Sequence, residues 1–254
     1  MKLADLLPFT VPVGFFLFWA IEILAANRTG RKLEPVKGWS LVGLVFLLIG
    51  SAINLYVPLW LPLDWLDKHR LLNLTGLGLW GAPLTFVVSS FLTYWFHRSL
   101  HRFDVLWLGM HQTHHAGERV DMPGWALAHP LEIFSFTAIA VITGVFLLGV
   151  DPLAATIAGA VNGVLGQFQH VNISTPRWIG YIVQRPEQHC AHHERDVHAR
   201  NYTTDLVIWD MLFGSFYNPA QFDGQVGFGK SAIRALPAML VFADVNGNDR
   251  SAQQ

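Results

Sequence analysis

The sequence predicts an all-α protein, an integral-membrane helical bundle of four to five spans carrying a polar helical cap. Three observations lead there. Several uncharged apolar stretches reach or exceed the roughly 18 residues that mark a spanning helix. Charged residues make up 14% of the chain and hydrophobic ones 52%, where soluble domains carry about a quarter charged. Twelve histidines stand beside a single cysteine, and most of them cluster outside the apolar stretches.

Residues 39–63 hold no charged side chain, and at about 1.5 Å per residue they make a helix roughly 37 Å long. That exceeds a hydrocarbon core of about 30 Å, so the segment spans with some tilt. Residues 71–96 are a similar uncharged run. Residues 133–150 and 152–170 are shorter, parted only by Asp151, and predict a tight helical hairpin. Residues 9–26 are a fifth candidate with Glu22 in the interior. Pro8 and Pro12 open that segment and no basic n-region precedes it, which favours a span over a cleaved signal peptide. Trp19, Trp39, Trp60, Trp65 and Trp95 fall near span ends, where aromatic side chains anchor depth.

Arg28, Arg31, Lys32 and Lys37 between the first two spans place that loop in the cytoplasm. Counting forward, residues 64–70 face the other side, and the chain returns to the cytoplasm near Phe96 and again near His170. Every dense histidine cluster therefore falls on the cytoplasmic side. The polar stretches 97–129 and 172–218 read mainly as helix, with breaks near Pro123-Gly124, near Pro176 and at Arg185-Pro186. Without repeats or linkers, residues 1–254 form one domain, whose polar end at 244–254 frays. A net charge of -1 with no basic stripe gives no basis for a nucleic-acid partner, and one cysteine excludes an internal disulfide.

Histidine carries the chemistry. His97 and His101 are four apart; His111, His114 and His115 follow the pattern i, i+3, i+4; His189, His192 and His193 repeat it. Residues three and four apart share a helix face, so each cluster presents its imidazoles together. Neutral imidazole ligates iron, zinc and other first-row metals, and eight such groups exceed one tetrahedral site. The count favours two metals. At this histidine content one HxxHH arises by chance in roughly one such sequence in forty, and two beside an HxxxH far more rarely. A histidine pH sensor would not need the same spacing twice. A membrane haem electron carrier, with two axial histidines, would leave most of the set unused. A zinc hydrolase lacks its H-E-x-x-H.

The stretch from Tyr94 to Arg102, Leu106-Trp107 before the second cluster, and His129-Pro-Leu-Glu132 resemble the fatty acid hydroxylase/sterol desaturase superfamily. So do Phe168-Gln-His170-Val-Asn172, Asn201-Tyr202 and residues 209–215 with the third cluster. The resemblance is strongest over residues 86–219. It implies a non-haem di-iron centre in a cytoplasmic cap, and it adds His170 to the ligand set. It implies an oxidoreductase that uses O2 to hydroxylate a membrane lipid of sterol or fatty acyl type, with desaturation as the alternative outcome. Zinc can stand in for iron at imidazole sites. The catalytic group is the dimetal centre itself, and no site for an organic cofactor is expected. No dinucleotide, haem-attachment or iron–sulfur motif is present, so electrons come from a separate donor of ferredoxin or cytochrome b5 type with its reductase. The sequence departs from the family at Ser90, often aspartate, and at Leu127, often arginine. His129 and Glu132 are candidates for orienting ligands or shaping the pocket. His69 is interfacial, His198 is left outside the set, and Cys190 is a packed thiol.

Overall fold

A computed structural model describes residues 7–25, 30–197, 199–229 and 232–245; the fraying expected beyond 245, His198 and Arg28 lie outside them. Five long helices form where the apolar stretches predict them: α1 (Thr10–Ala25), α2 (Trp39–Trp60), α3 (Gly81–Arg102), α6 (Pro130–Ile142) and α7 (Pro152–Phe168). Three are long and apolar enough to cross a membrane: α2, α3 with its 3-10 lead-in from Thr75, and α6 extended by the π turn Thr143–Leu147. α1 and α7, at 16 and 17 residues, pack beside them but fall short of the roughly 20 residues a span needs.

The hairpin between α6 and α7 is built locally. Gly149 takes φ 55, and the Asp151 carboxylate accepts from Leu153 N at 2.8 Å to cap α7, with Pro152 supplying a preset φ at the first position. In lipid, helices approach closely only where side chains are small. A Cβ on Gly144 would meet Ala155 at 2.7 Å, and one on Gly43 would meet the Pro123 backbone at 2.7 Å. α7 lies along α3, where Asn162 Nδ2 donates to Ser89 Oγ at 2.9 Å. Phe15, Trp39, Phe46, Met122, Leu127 and Met239 form the main buried cluster, where α1 and α2 meet the cap.

Glu22, the charge that interrupts the first apolar stretch, is 6% exposed. Its Oε2 accepts from Met122 N at 3.1 Å and Asn172 N at 2.9 Å, so it ties α1 to both polar stretches.

The cap is made from those two stretches. The first is helical: α4 (residues 104–115, with a π turn at Trp107–His111) and α5 (Met122–Ala126). Among its described residues the second contains the 3-10 turn Arg177–Tyr181, α8 (Pro186–His192) and α9 (Ile208–Phe213). Mostly loop, it corrects the expectation of a mainly helical segment. Its backbone groups bond to side chains such as Asn201, Asp210 and Glu187 in place of a helical ladder. Helix boundaries fall near Pro123-Gly124, near Pro176 and at Arg185-Pro186, each at the start of a helical segment. α10 (Ala232–Met239) closes the described chain.

Candidate metal centre

Nine histidines meet in the cap as two groups. His97, His101, His111, His115 and His192 form one; His114, His170, His189 and His193 form the other; within each group one nitrogen per residue lies within 4.8 Å of every other. All nine sequence candidates are thereby brought together. The repeated spacing acquires a geometric reason. The second cluster gives its i, i+4 pair (His111, His115) to the first group and His114 to the second. The third gives its i, i+4 pair (His189, His193) to the second group and His192 to the first. Each cluster therefore straddles both groups, which touch where the His115 and His193 rings stack at 4.1 Å.

Local structure aims each ring. His97 and His101 end α3. The π turn Trp107–His111 inserts a residue into the helical ladder just where α4 must turn His111 inward. His170 follows the last turn of α7, and its Nδ1–H donates back to Gly166 O at 2.9 Å. α8 begins at a fixed point: the buried Arg185 donates to Asn218 Oδ1 at 2.9 Å and Thr175 O at 2.6 Å, and Gln188 Oε1 caps Arg185 N. The Asp210 carboxylate accepts from Tyr202 N, Ser215 Oγ, Thr203 N and Thr203 Oγ1. That holds the Tyr202 carbonyl against His97.

The outer nitrogens set the tautomers. His97 Nδ1–H donates to Tyr202 O at 2.6 Å, His192 Nδ1–H to Arg200 O at 2.6 Å, and His114 Nδ1–H to Leu127 O at 3.3 Å. A carbonyl only accepts, so the proton sits on Nδ1 and Nε2 is a bare lone pair. His111 Nδ1–H donates in the same way to Glu132 Oε1 at 2.9 Å. The inner nitrogens then face one another: His97 and His111 Nε2 are 2.9 Å apart, His111 and His101 3.0 Å, His170 and His114 3.3 Å. His189 Nε2 lies 2.9 Å from both His170 and His193. Where both outer nitrogens donate, as in the His97–His111 and His170–His114 pairs, two bare lone pairs at 2.9 and 3.3 Å repel unless a cation lies between them. A metal about 2.1 Å from each of two adjacent ligands separates them by roughly 3.0–3.4 Å. The donor set fits a first-row metal in each group.

Electrostatics agree. Burial holds His114 down to about 4 from its ordinary 6.5 and keeps His115, His170, His189 and His193 well below that value. Burial comes first in each case because a charged imidazole loses its water, and neighbouring imidazoles add to it. These five rings are held in the neutral form at pH 7. Trp107 and Tyr202 wall the first group, each with its ring 5.3 Å from His101.

The other candidates separate. Glu132 orients His111. His129 is structural: its Nδ1 accepts from Leu131 N at 3.1 Å and caps α6. His69 is exposed and stacks on Trp65, outside the centre. Cys190 packs with Val120, Phe222 and Val226, and burial pushes its thiol up to about 11. Leu127 contributes its carbonyl to His114. Ser90 donates to Asp205 Oδ1 and accepts from Trp209 Nε1, so a carboxylate from the 204–206 loop occupies the surroundings of residue 90. The backbone acceptors at Gly166, Arg200 and Tyr202 have no signature in a sequence. Asp210 did, within the recognised 209–215 motif, but without an assigned role.

Similarity to known proteins follows the same boundaries. The chain is 30% identical over 212 residues to human alkylglycerol monooxygenase, covering 78% of this chain and 43% of that protein. It is 30% identical over 158 residues to an ornithine lipid hydroxylase of Rhizobium tropici, covering 61% and 45%. A very-long-chain aldehyde decarbonylase of Oryza sativa is 27% identical over 151 residues, covering 53% and 24%. The chain thus spans less than half the length of these relatives. No solved structure matches it. The family model for fatty acid hydroxylase matches residues 82–215, more than half of the chain and every one of the nine clustered histidines, and the chain belongs to that family.

Proposed function

We propose that the chain is an O2-dependent lipid hydroxylase, working as one membrane-embedded unit whose nine clustered histidines hold two irons. The observation that carries this reading is the pair of groups whose bare Nε2 atoms converge at 2.9–3.3 Å. When bound, two irons supply the O2-activating redox chemistry that no side chain offers. In the overall reaction one oxygen atom enters a C–H bond and the other leaves as water, with two electrons and two protons from outside the site.

The protein's own residues have narrower tasks. Glu132 and the carbonyls at Tyr202, Leu127, Gly166 and Arg200 hold the Nδ1 protons and keep Nε2 free. Trp107 and the buried rings exclude water. Arg31, Lys32 and Lys37 at the α1–α2 connection, with Arg98 and Arg102 at the histidine end of α3, support a cytoplasmic location of the centre. A ferredoxin or cytochrome b5 donor with its reductase reaches it there. The names of two relatives point to polar lipids, a glycerol ether and an amino-acid lipid, so a headgroup-bearing membrane lipid is the favoured substrate class. Imidazole nitrogens packed this closely leave no slot for a porphyrin between axial ligands, which argues against the haem carrier.

The test is a lipid comparison of cells with and without the protein, repeated with reconstituted enzyme, O2 and donor. A lipid that gains one oxygen is expected, and one that loses two hydrogens would identify a desaturase. No changed lipid, or full activity in the double variant His114→Ala with His192→Ala, contradicts the proposal.

A further inference from the structure

We propose that the outer face of α9 and the adjoining Arg177–Tyr181 turn is seated in the bilayer interface, forming a collar that dips the edge of the cap into the lipid. Val207, just before α9, and Asp210 within it are buried, while Ile208, Met211 and Leu212 are exposed. These three stand at i, i+3 and i+4 on one face. Leu212 is 63% exposed. Trp178 (64%), Tyr181 and Ile182 (58%) are exposed on the segment that the Val183–Leu206 bridge joins to α9. Among residues 206–213 the only charged side chain is the buried Asp210. Soluble surfaces rarely leave so many adjacent large apolar groups uncovered.

Continuity with a span identifies what covers them. Phe213 packs on Trp95 at 4.8 Å and on Phe91 at 6.3 Å, and Trp209 packs on Phe91 at 5.1 Å. Phe91 stands at the midpoint of α3 and Trp95 one turn beyond it, and α3 is one of the three membrane-length helices among the described residues. α9 therefore stands at the depth of those turns. One turn further, Arg98 donates to Phe213 O at 3.1 Å, placing a cation at the end of α9 where headgroups begin. Exposed aliphatic residues with Trp and Tyr beside them and an arginine at one end are the composition of an interfacial helix. The collar shortens the path by which a lipid leaves the leaflet for the cap. It depends on the membrane reading of α3 and is independent of which metal or reaction the histidines serve.

Nitroxide labels at Leu212→Cys and Ile182→Cys in phosphatidylcholine vesicles test it, because the one native cysteine is buried. Leu48→Cys on the exposed face of α2 gives the lipid reference and Asp223→Cys on the cap the water reference. The 212 and 182 labels are expected to match Leu48→Cys, collided with by O2 and shielded from a water-soluble nickel chelate. Labels that follow Asp223→Cys overturn the proposal. Labels shielded from both reagents also overturn it, since they report a protein partner such as a second copy. Footprinting the unaltered chain with lipid-soluble and water-soluble diazirines gives the same readout without substitutions. Modification of Trp178 and Leu212 by the lipid-soluble reagent is expected, and modification only by the water-soluble one contradicts the collar.

Discussion

Each ring at the centre is defined by what its outer nitrogen does, because that bond decides which nitrogen is free to ligate. Glu132 brings a carboxylate to these partners, and it acts on His111, whose Nε2 lies near those of both His97 and His101. Glu132→Leu is expected to weaken metal retention about 10- to 100-fold while leaving helix content unchanged, as read by chelator competition and circular dichroism. The buried imidazoles also set an acid limit. Above 6.5, the ordinary value, His114 is neutral folded or unfolded, and burial imposes no proton-linked penalty. As pH falls from 6.5 toward about 4, the unfolded chain takes up a proton that the folded chain refuses, so stability drops. The slope approaches about 1.4 kcal/mol per pH unit for each such histidine. Metal-free protein is expected to melt at progressively lower temperature between pH 7 and pH 5, and a melting temperature flat across that range would contradict the neutral-ligand assignment. At this scale the three spaced clusters were legible in the sequence, since helical periodicity is local. Spacing alone left His170 out, because it stands alone in sequence and joins the set through the end of α7; only the family resemblance named it.

Two elements carry more than their length suggests. The π turn at Trp107–His111 sets the rotation of α4, so deleting Met110 turns His111, His114 and His115 by about 100° relative to α3. Loss of metal with the membrane helices still folded is expected, measured by metal content beside circular dichroism in detergent. Glu22 in α1 is the second case. Glu22→Ala strips Met122 N and Asn172 N of their acceptor, and each buried N–H left without one costs roughly 1–3 kcal/mol. A lower melting temperature and faster trypsin cleavage at Arg31 are expected. Reading Glu22 as an interruption of a span was reasonable from hydropathy alone, since its two partners lie about a hundred or more residues away. The loop character of 172–218 was hidden for the same reason. Its helix-forming residues are held by Asn201, Asp210 and Arg185 through tertiary bonds that outweigh local propensity.

The molecule as a whole is a bundle of apolar helices that stiffens a histidine-rich cap. α3 and α7 run side by side and lead to His97, His101 and His170, while the two polar stretches fold over them with the other six clustered histidines. The bundle was legible because a backbone in lipid must be helical and uncharged. The span count was less so, since α1 and α7 stop short of full length. The most direct test of the two-group centre is anaerobic iron titration of purified, metal-free protein, with bound iron counted per intact chain. About two irons per chain are expected, falling to about one in His114→Ala with His170→Ala, which empties the second group and spares the first. Saturation at one iron in the unaltered protein, or no loss in the double variant, would contradict a centre built from two adjacent histidine groups.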